Sequence, residues 1–139
     1  MKIMAIDYGD AHTGIAVSDA LLTLAGFTTV ITAYRPEAVA AEIQRLSAEH
    51  GVTELVLGHP LNMDGTRGPR AEKAEGFAAL LRETTGLPVT LWDERRPTVD
   101  AHNILMAGGK NAKQRKKTVD AVAASLMLEG YLTFKKRQK

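Results

Sequence analysis

The sequence predicts an α/β fold, a mixed sheet of about five strands flanked by helices. An apolar hairpin opens the chain, and strands and helices alternate after Pro36, which implies a parallel arrangement with helices packed on the sheet faces. A chain of 139 residues, 45% hydrophobic and 24% charged, is long enough for one conventional core and short for two. It therefore reads as a single domain over residues 1–139, with a basic loop at 110–117 and a basic C-terminal tail at 135–139.

Lys2 to Asp7 is a short apolar strand ending in a carboxylate, and Tyr8 to Thr13 supplies the small and polar residues of a turn. Gly14 to Ser18 is the return strand, and Phe27 to Thr32, rich in β-branched residues, the third. Pro36 opens a helix whose apolar positions Val39, Ile43 and Leu46 recur at helical spacing before Gly51. Glu54 to Gly58 reads as a buried parallel strand, followed by a long loop from His59 to Pro69. A helix from Arg70 to Thr85 stops at Gly86, and Pro88 to Trp92 is the fifth strand, running into Asp93-Glu94. A further helix is expected from about Thr98 to Met106. The stretch Lys110 to Lys117 reads as too charged to pack, and Thr118 as the cap of a last helix with Val119, Val122, Ala123, Leu126 and Gly130 on one face.

The absence of cysteine excludes a disulfide scaffold, a thiolate metal site and a cysteine nucleophile. The four histidines have no metal-ligand spacing, and Ser18-Asp19 has no histidine to serve as its base. A carboxylate by residue 7 and the lack of any apolar run near 20 residues lead to the expectation of a cytoplasmic protein with no membrane role. The net charge of +2 is unevenly spread: Met1 to Gly109 carries 9 Lys and Arg against 14 Asp and Glu, and Lys110 to Lys139 carries 9 against 2. Segregation of this kind favours a polyanionic partner.

Three acidic positions stand out: Asp7 at the end of the first strand, Asp93-Glu94 at the end of the fifth, and Asp120 in the last helix. Ligand crevices of open α/β sheets lie beyond the strand ends, where such acids can converge. Carboxylates gathered without cationic partners suit Mg²⁺ or Mn²⁺, and a two-ion site is a usual device for hydrolysing a phosphodiester. Arg95, Arg96, Lys110, Arg115, Lys116 and Lys117 are the candidate phosphate contacts. Trp92, in a strand, reads as core before it reads as a stacking platform.

Asp7-Tyr8-Gly9-x₄-Gly14-Ile15-Ala16-Val17-Ser18-Asp19 resembles the opening motif of the YqgF/RuvX family of small RNase H-like proteins. Gly58-His59-Pro60-Leu61-Asn62-Met63-Asp64-Gly65-Thr66 is similar to its central loop. Asp93-Glu94-Arg95 with Thr98, and Val119-Asp120-Ala121-x-Ala123-Ala124, are similar to its later blocks. The four blocks keep the family order across nearly the whole chain. The resemblance implies an RNase H-like fold and a metal-dependent endonuclease maturing the 5′ end of pre-16S rRNA in ribosome biogenesis. It also implies a relation to Holliday junction resolvases, which act on four-way DNA in recombination and repair. By position it makes Asp7, Glu94 and Asp120 the catalytic and metal-binding acids, with Asp93 in reserve, and sets Asn62 and Thr66 near substrate. His12 stands where the family commonly has arginine or a lysine-like residue, and Arg96-Pro97 where it usually has an apolar residue and a serine. Pre-rRNA is the favoured partner. Branched DNA is the alternative, and its two symmetrical cuts require a homodimer.

Overall fold

The computed structural model of the chain describes residues 2–19, 25–62, 64–93 and 112–137, the side chains of 112–121 and 136–137 excepted. Strands β1 (Lys2–Asp7), β2 (His12–Ser18) and β3 (Ala25–Thr32) come first, then α1 (Pro36–His50), β4 (Val52–His59), α2 (Pro69–Thr85), β5 (Val89–Asp93) and α3 (Ala112–Arg137). The sheet order is β3-β2-β1-β4-β5. The β1–β2 and β2–β3 pairs are antiparallel, β1–β4 and β4–β5 parallel, so the expected five-stranded mixed sheet is present.

β1 is central because both of its faces are apolar. Met4 and Ile6 face the layer of α1 and α2, with Ile15, Val17, Leu55 and Leu57 beside them. Ile3 and Ala5 face α3, together with Ala16, Val56 and Trp92. Period-two alternation turns one sequence into two half-cores. Pro36 and Pro69 take the first turns of α1 and α2, where a missing N–H costs nothing. Gly51 and Gly86, both at φ 71°, end these helices in the left-handed conformation.

The N–H of Ile3 donates to Ser18 Oγ at 2.8 Å, where the β1–β4 register slips between Lys2 and Ile3. Ser18 is buried and spent on the backbone at the end of β1 remote from Asp7. Trp92, 7% exposed, lies edge-on to Tyr131 and Phe134 with ring centroids 5.4 Å away in each case. It is a core residue.

Two expectations about the C-terminus are corrected. α3 begins at Ala112 rather than at Thr118, so most of the basic stretch expected as a loop at 110–117 forms its first turns. Lys, Arg, Gln and Ala are strong helix formers, and a helix continuous with a packed segment need not bury its own first turns. The basic tail expected at 135–139 is helical to Arg137, and Lys135 Nζ lies 2.8 Å from Glu54 Oε1. The buried stripe of α3 is Ala124, Met127, Leu128, Tyr131 and Leu132, while Val122, Ala123, Leu126 and Gly130 are half-buried. The face that packs on the sheet is the expected one moved on by about one residue, roughly 100° around the helix, because Met127, Leu128 and Tyr131 pack with Ile3, Ala5 and Trp92. The helix expected over 98–106 lies outside the described residues. No helix among the described residues is long and apolar enough to cross a membrane.

Candidate functional site

The C-terminal ends of β1, β4 and β5 form one edge of the sheet, and the residues just beyond them supply the candidate site. Asp7 is the last residue of β1 and pairs in register with Gly14 of β2. Ile6 pairs with Leu57 of β4, which makes Gly58 the neighbour of Asp7 on its other side. Strand alternation puts Asp7 on the face of Ile3 and Ala5, toward α3. Its lateral neighbours on that face are two glycines, which bring no side chain against the carboxylate.

Asp93 ends β5 opposite His59, two strands from β1 and hence roughly 10 Å away across the sheet. Alternation gives it the parity of Val89 and Leu91, which pack toward α1 and α2, and not that of Trp92. Asp7 and Asp93 therefore belong to opposite faces. Position 120 lies on α3 one turn before Ala124, in line with the stripe of Ala124 and Leu128. Glu94, Arg95, Arg96 and Lys110 lie outside the described residues, as do the side chains of Arg115, Lys116, Lys117 and Asp120. No group of three metal-ligating side chains occurs among the described residues.

The loop after β4 is tied at two points. His59 Nε2 stands 2.6 Å from Glu75 Oε2 on α2, and Arg67 Nε donates to the same oxygen at 2.8 Å. These bonds, Arg67 first and His59 second, hold the Glu75 carboxyl below the usual carboxylate range. Farther along, the N–H of Asn62 donates to the carbonyl of Thr66 and that of Gly65 to the carbonyl of Asn62, each at 2.9 Å. Asn62 Nδ2 donates to Thr66 Oγ1 at 2.9 Å, and that hydroxyl donates to Asp64 Oδ1 at 2.6 Å. Asn62 and Thr66, expected near substrate, are exposed and bonded to each other, so each helps to shape the loop.

The turn between β1 and β2 is tight: a Cβ on Gly9 would stand 2.3 Å from the carbonyl oxygen of His12, so only glycine fits. His12 Nδ1 lies 3.4 Å from Thr32 Oγ1 on the neighbouring strand. Beneath this turn, on the α2 side, is a cleft of about 100 Å³ walled by Tyr8, Gly9, Gly58, Pro60, Arg70 and Lys73. Tyr8 stacks on Phe77 at 3.9 Å, and Lys73 Nζ stands 2.6 Å from Asp10 Oδ1. That carboxylate raises the pKa of Lys73, and burial raises that of Tyr8. Sequence reasoning passed over Arg70 and Lys73. The available signal was two cations three residues apart in the first turns of a helix that follows a long loop.

Residues 1–134 match the family RuvX, Holliday junction resolvase. The chain is 42% identical over 137 residues to a protein of Carboxydothermus hydrogenoformans named "Putative pre-16S rRNA nuclease", covering 99% of each chain. A Geobacillus kaustophilus protein of the same name is 43% identical over 138 residues, covering 98% of this chain and 100% of its own. Among solved structures, Thermus thermophilus RuvC in complex with Holliday junction substrate superposes with a TM-score of 0.63 at 16% identity, over 97% of this chain and 96% of RuvC. At that identity the likeness speaks to the fold, which is the RNase H-like one.

Proposed function

We propose, because the chain belongs to the RuvX family, that it is a divalent-metal-dependent endonuclease of structured nucleic acid, acting at the 5′ end of pre-16S rRNA. The observation that carries this reading is Asp7: a carboxylate at the end of the central strand, flanked in register by Gly14 and Gly58, on the face that α3 covers. The names of the relatives, which align end to end, supply the substrate.

Asp7, Glu94 and Asp120 are the residues that would hold Mg²⁺ or Mn²⁺, and all-oxygen donors fit those ions. Glu94 is preferred to Asp93 because Asp93 has the parity of the other sheet face. Asp120 is supported by the course of α3. Tyr131 and Lys135 engage Glu54 near the start of β4, so position 120, about 16 Å of helix earlier, lies away from that end. The ions, when bound, supply Lewis acidity that activates water and stabilises the leaving oxygen. The chain's own part is to hold the carboxylates rigidly on strand and helix, and to neutralise flanking phosphates with Arg95, Arg96, Lys110 and the Arg115-Lys116-Lys117 run. Asn62 and Thr66 present the exposed loop to the strand. Action on a ribosomal RNA precursor implies a cytoplasmic site of action.

The test is parallel incubation of labelled precursor RNA and a four-way DNA junction with Mg²⁺, Mn²⁺ or EDTA, beside the Asp7→Asn protein. Metal-dependent cleavage of the RNA, abolished in Asp7→Asn with binding retained, is expected. Undiminished cleavage by Asp7→Asn overturns the reading. The family's description as Holliday junction resolvase favours the junction as second substrate. Symmetrical cleavage of the junction by a homodimer would establish that reading instead.

A further inference from the structure

We infer that the cleft beneath the β1–β2 turn seats a backbone phosphate of the substrate strand, with Arg70 and Lys73 as its cationic wall. The inference rests on the nuclease reading of the Asp7 edge and says where the strand runs from it. Tyr8 and Gly9 follow Asp7 directly in the chain, and Gly58 is its register neighbour, so the cleft and the Asp7 edge share their walls. A strand that follows this edge past Asp7 therefore also passes the mouth of the cleft.

Size and chemistry both select a phosphate over a base. At about 100 Å³ the cleft is well below the several hundred Å³ of a pocket that takes a whole small molecule. One face of the Tyr8 ring lies against Phe77, and Lys73 Nζ stands 5.7 Å from the ring centroid, so Tyr8 has no open face for a nucleobase. The charged lining is two cations, Arg70 and Lys73, against one carboxylate, Asp10. Asp10 fixes the Lys73 ammonium at the cleft, and an ammonium has three protons to donate. Arg45, Arg67 and Arg82 are each engaged by Glu42 and Glu49, by Glu75 and by the Val89 carbonyl. Arg70 is exposed and has no acid partner among the described residues, which leaves its guanidinium fork for an incoming anion. Contacts of this kind set position along the strand without reading sequence.

Two measurements test the inference. Binding of uncleavable complexes, formed by the Asp7→Asn protein with labelled precursor RNA, is compared with and without Arg70→Ala and Arg70→Lys across a salt series. Arg70→Ala is expected to bind about tenfold more weakly and to lower the salt slope by about one, with Arg70→Lys recovering most of the affinity. Separately, a trinucleotide is titrated in EDTA while the backbone amides of Gly9, Gly58 and Lys73 are followed by NMR. Saturable shifts at these amides, lost in Arg70→Ala, are expected. An unchanged affinity and slope, or a titration that leaves these amides unmoved, overturns the phosphate seat. Failure of the nuclease reading shows itself elsewhere, as cleavage that survives Asp7→Asn.

Discussion

Asp7 and Gly14 are direct cross-strand partners at the edge where β1 ends, so the carboxylate faces a position without a side chain. Directly opposed residues have Cβ atoms about 5 Å apart, which places any group larger than hydrogen at position 14 against the carboxylate. Gly14→Val suits a strand by propensity but adds bulk at a buried position, so it is expected to cost about 1–3 kcal/mol of stability and to lower metal-dependent cleavage by about a hundredfold through misplacement of Asp7. Paired measurements of melting temperature and cleavage rate check this. Wild-type rates in Gly14→Val would show that the glycine leaves nothing open.

The tie between His59, Arg67 and Glu75 predicts an acid-sensitive loop. The Glu75 carboxyl titrates below its ordinary 4.5 in the folded chain. Its contribution is therefore complete above that value and is lost as pH falls through the folded pKa. The protection factors of the Asn62 and Gly65 amides, which remove the intrinsic pH dependence of exchange, are expected to fall several-fold as pH drops through that folded pKa. Glu75→Gln should show the lower protection factors already at pH 7, with little further change on acidification.

Leu128 is completely buried between α3 and the sheet beside Ile3, Ala5 and Trp92. Leu128→Ala is expected to cost about 2–5 kcal/mol in urea unfolding, the usual range for an aliphatic side chain removed from a close-packed site. Trp92, the one tryptophan, lies in the same cluster and reports the loss through its fluorescence. A cost below 1 kcal/mol would mean that α3 is not docked as described.

Tyr131 donates its hydroxyl to the Glu54 carboxylate, and Lys135 pairs with the other oxygen. Burial first, and this hydrogen bond second, raise the pKa of Tyr131 above 10.0. The neutral phenol is thus the form the fold stabilises. Its contribution is whole below pH 10 and lost as pH rises through the folded value. Tyr131→Phe is expected to cost roughly 1.5 kcal/mol at pH 7, the low end for a bond to a charged group. The variant should also lack this component of alkaline destabilisation, measured as melting temperature from pH 8 to 11.

The fold was legible because its signals are local. The apolar runs of β1 and β4, Pro36 at a helix start and Gly51 and Gly86 at helix ends each depend on a few neighbours along the chain. The start of α3 and its buried stripe were misjudged for the converse reason. Charge spoke against packing in Lys113 to Lys117, but helix formation there asks only for propensity and a continuous neighbour, and Tyr131 was drawn to the sheet by Trp92 and Glu54, far away in sequence.

The order of strands and helices, the acidic residues and the family motifs were all determined by the sequence alone, since residue type and spacing along one dimension suffice for them. The tertiary structure alone decided that Asp93 has the opposite parity to Asp7, that Asn62 and Thr66 bond each other, and that Arg70 and Lys73 wall a cleft beside the acid. Those facts depend on register and on which helix face meets which strand. Both are set by close packing between distant segments, and no local propensity encodes them.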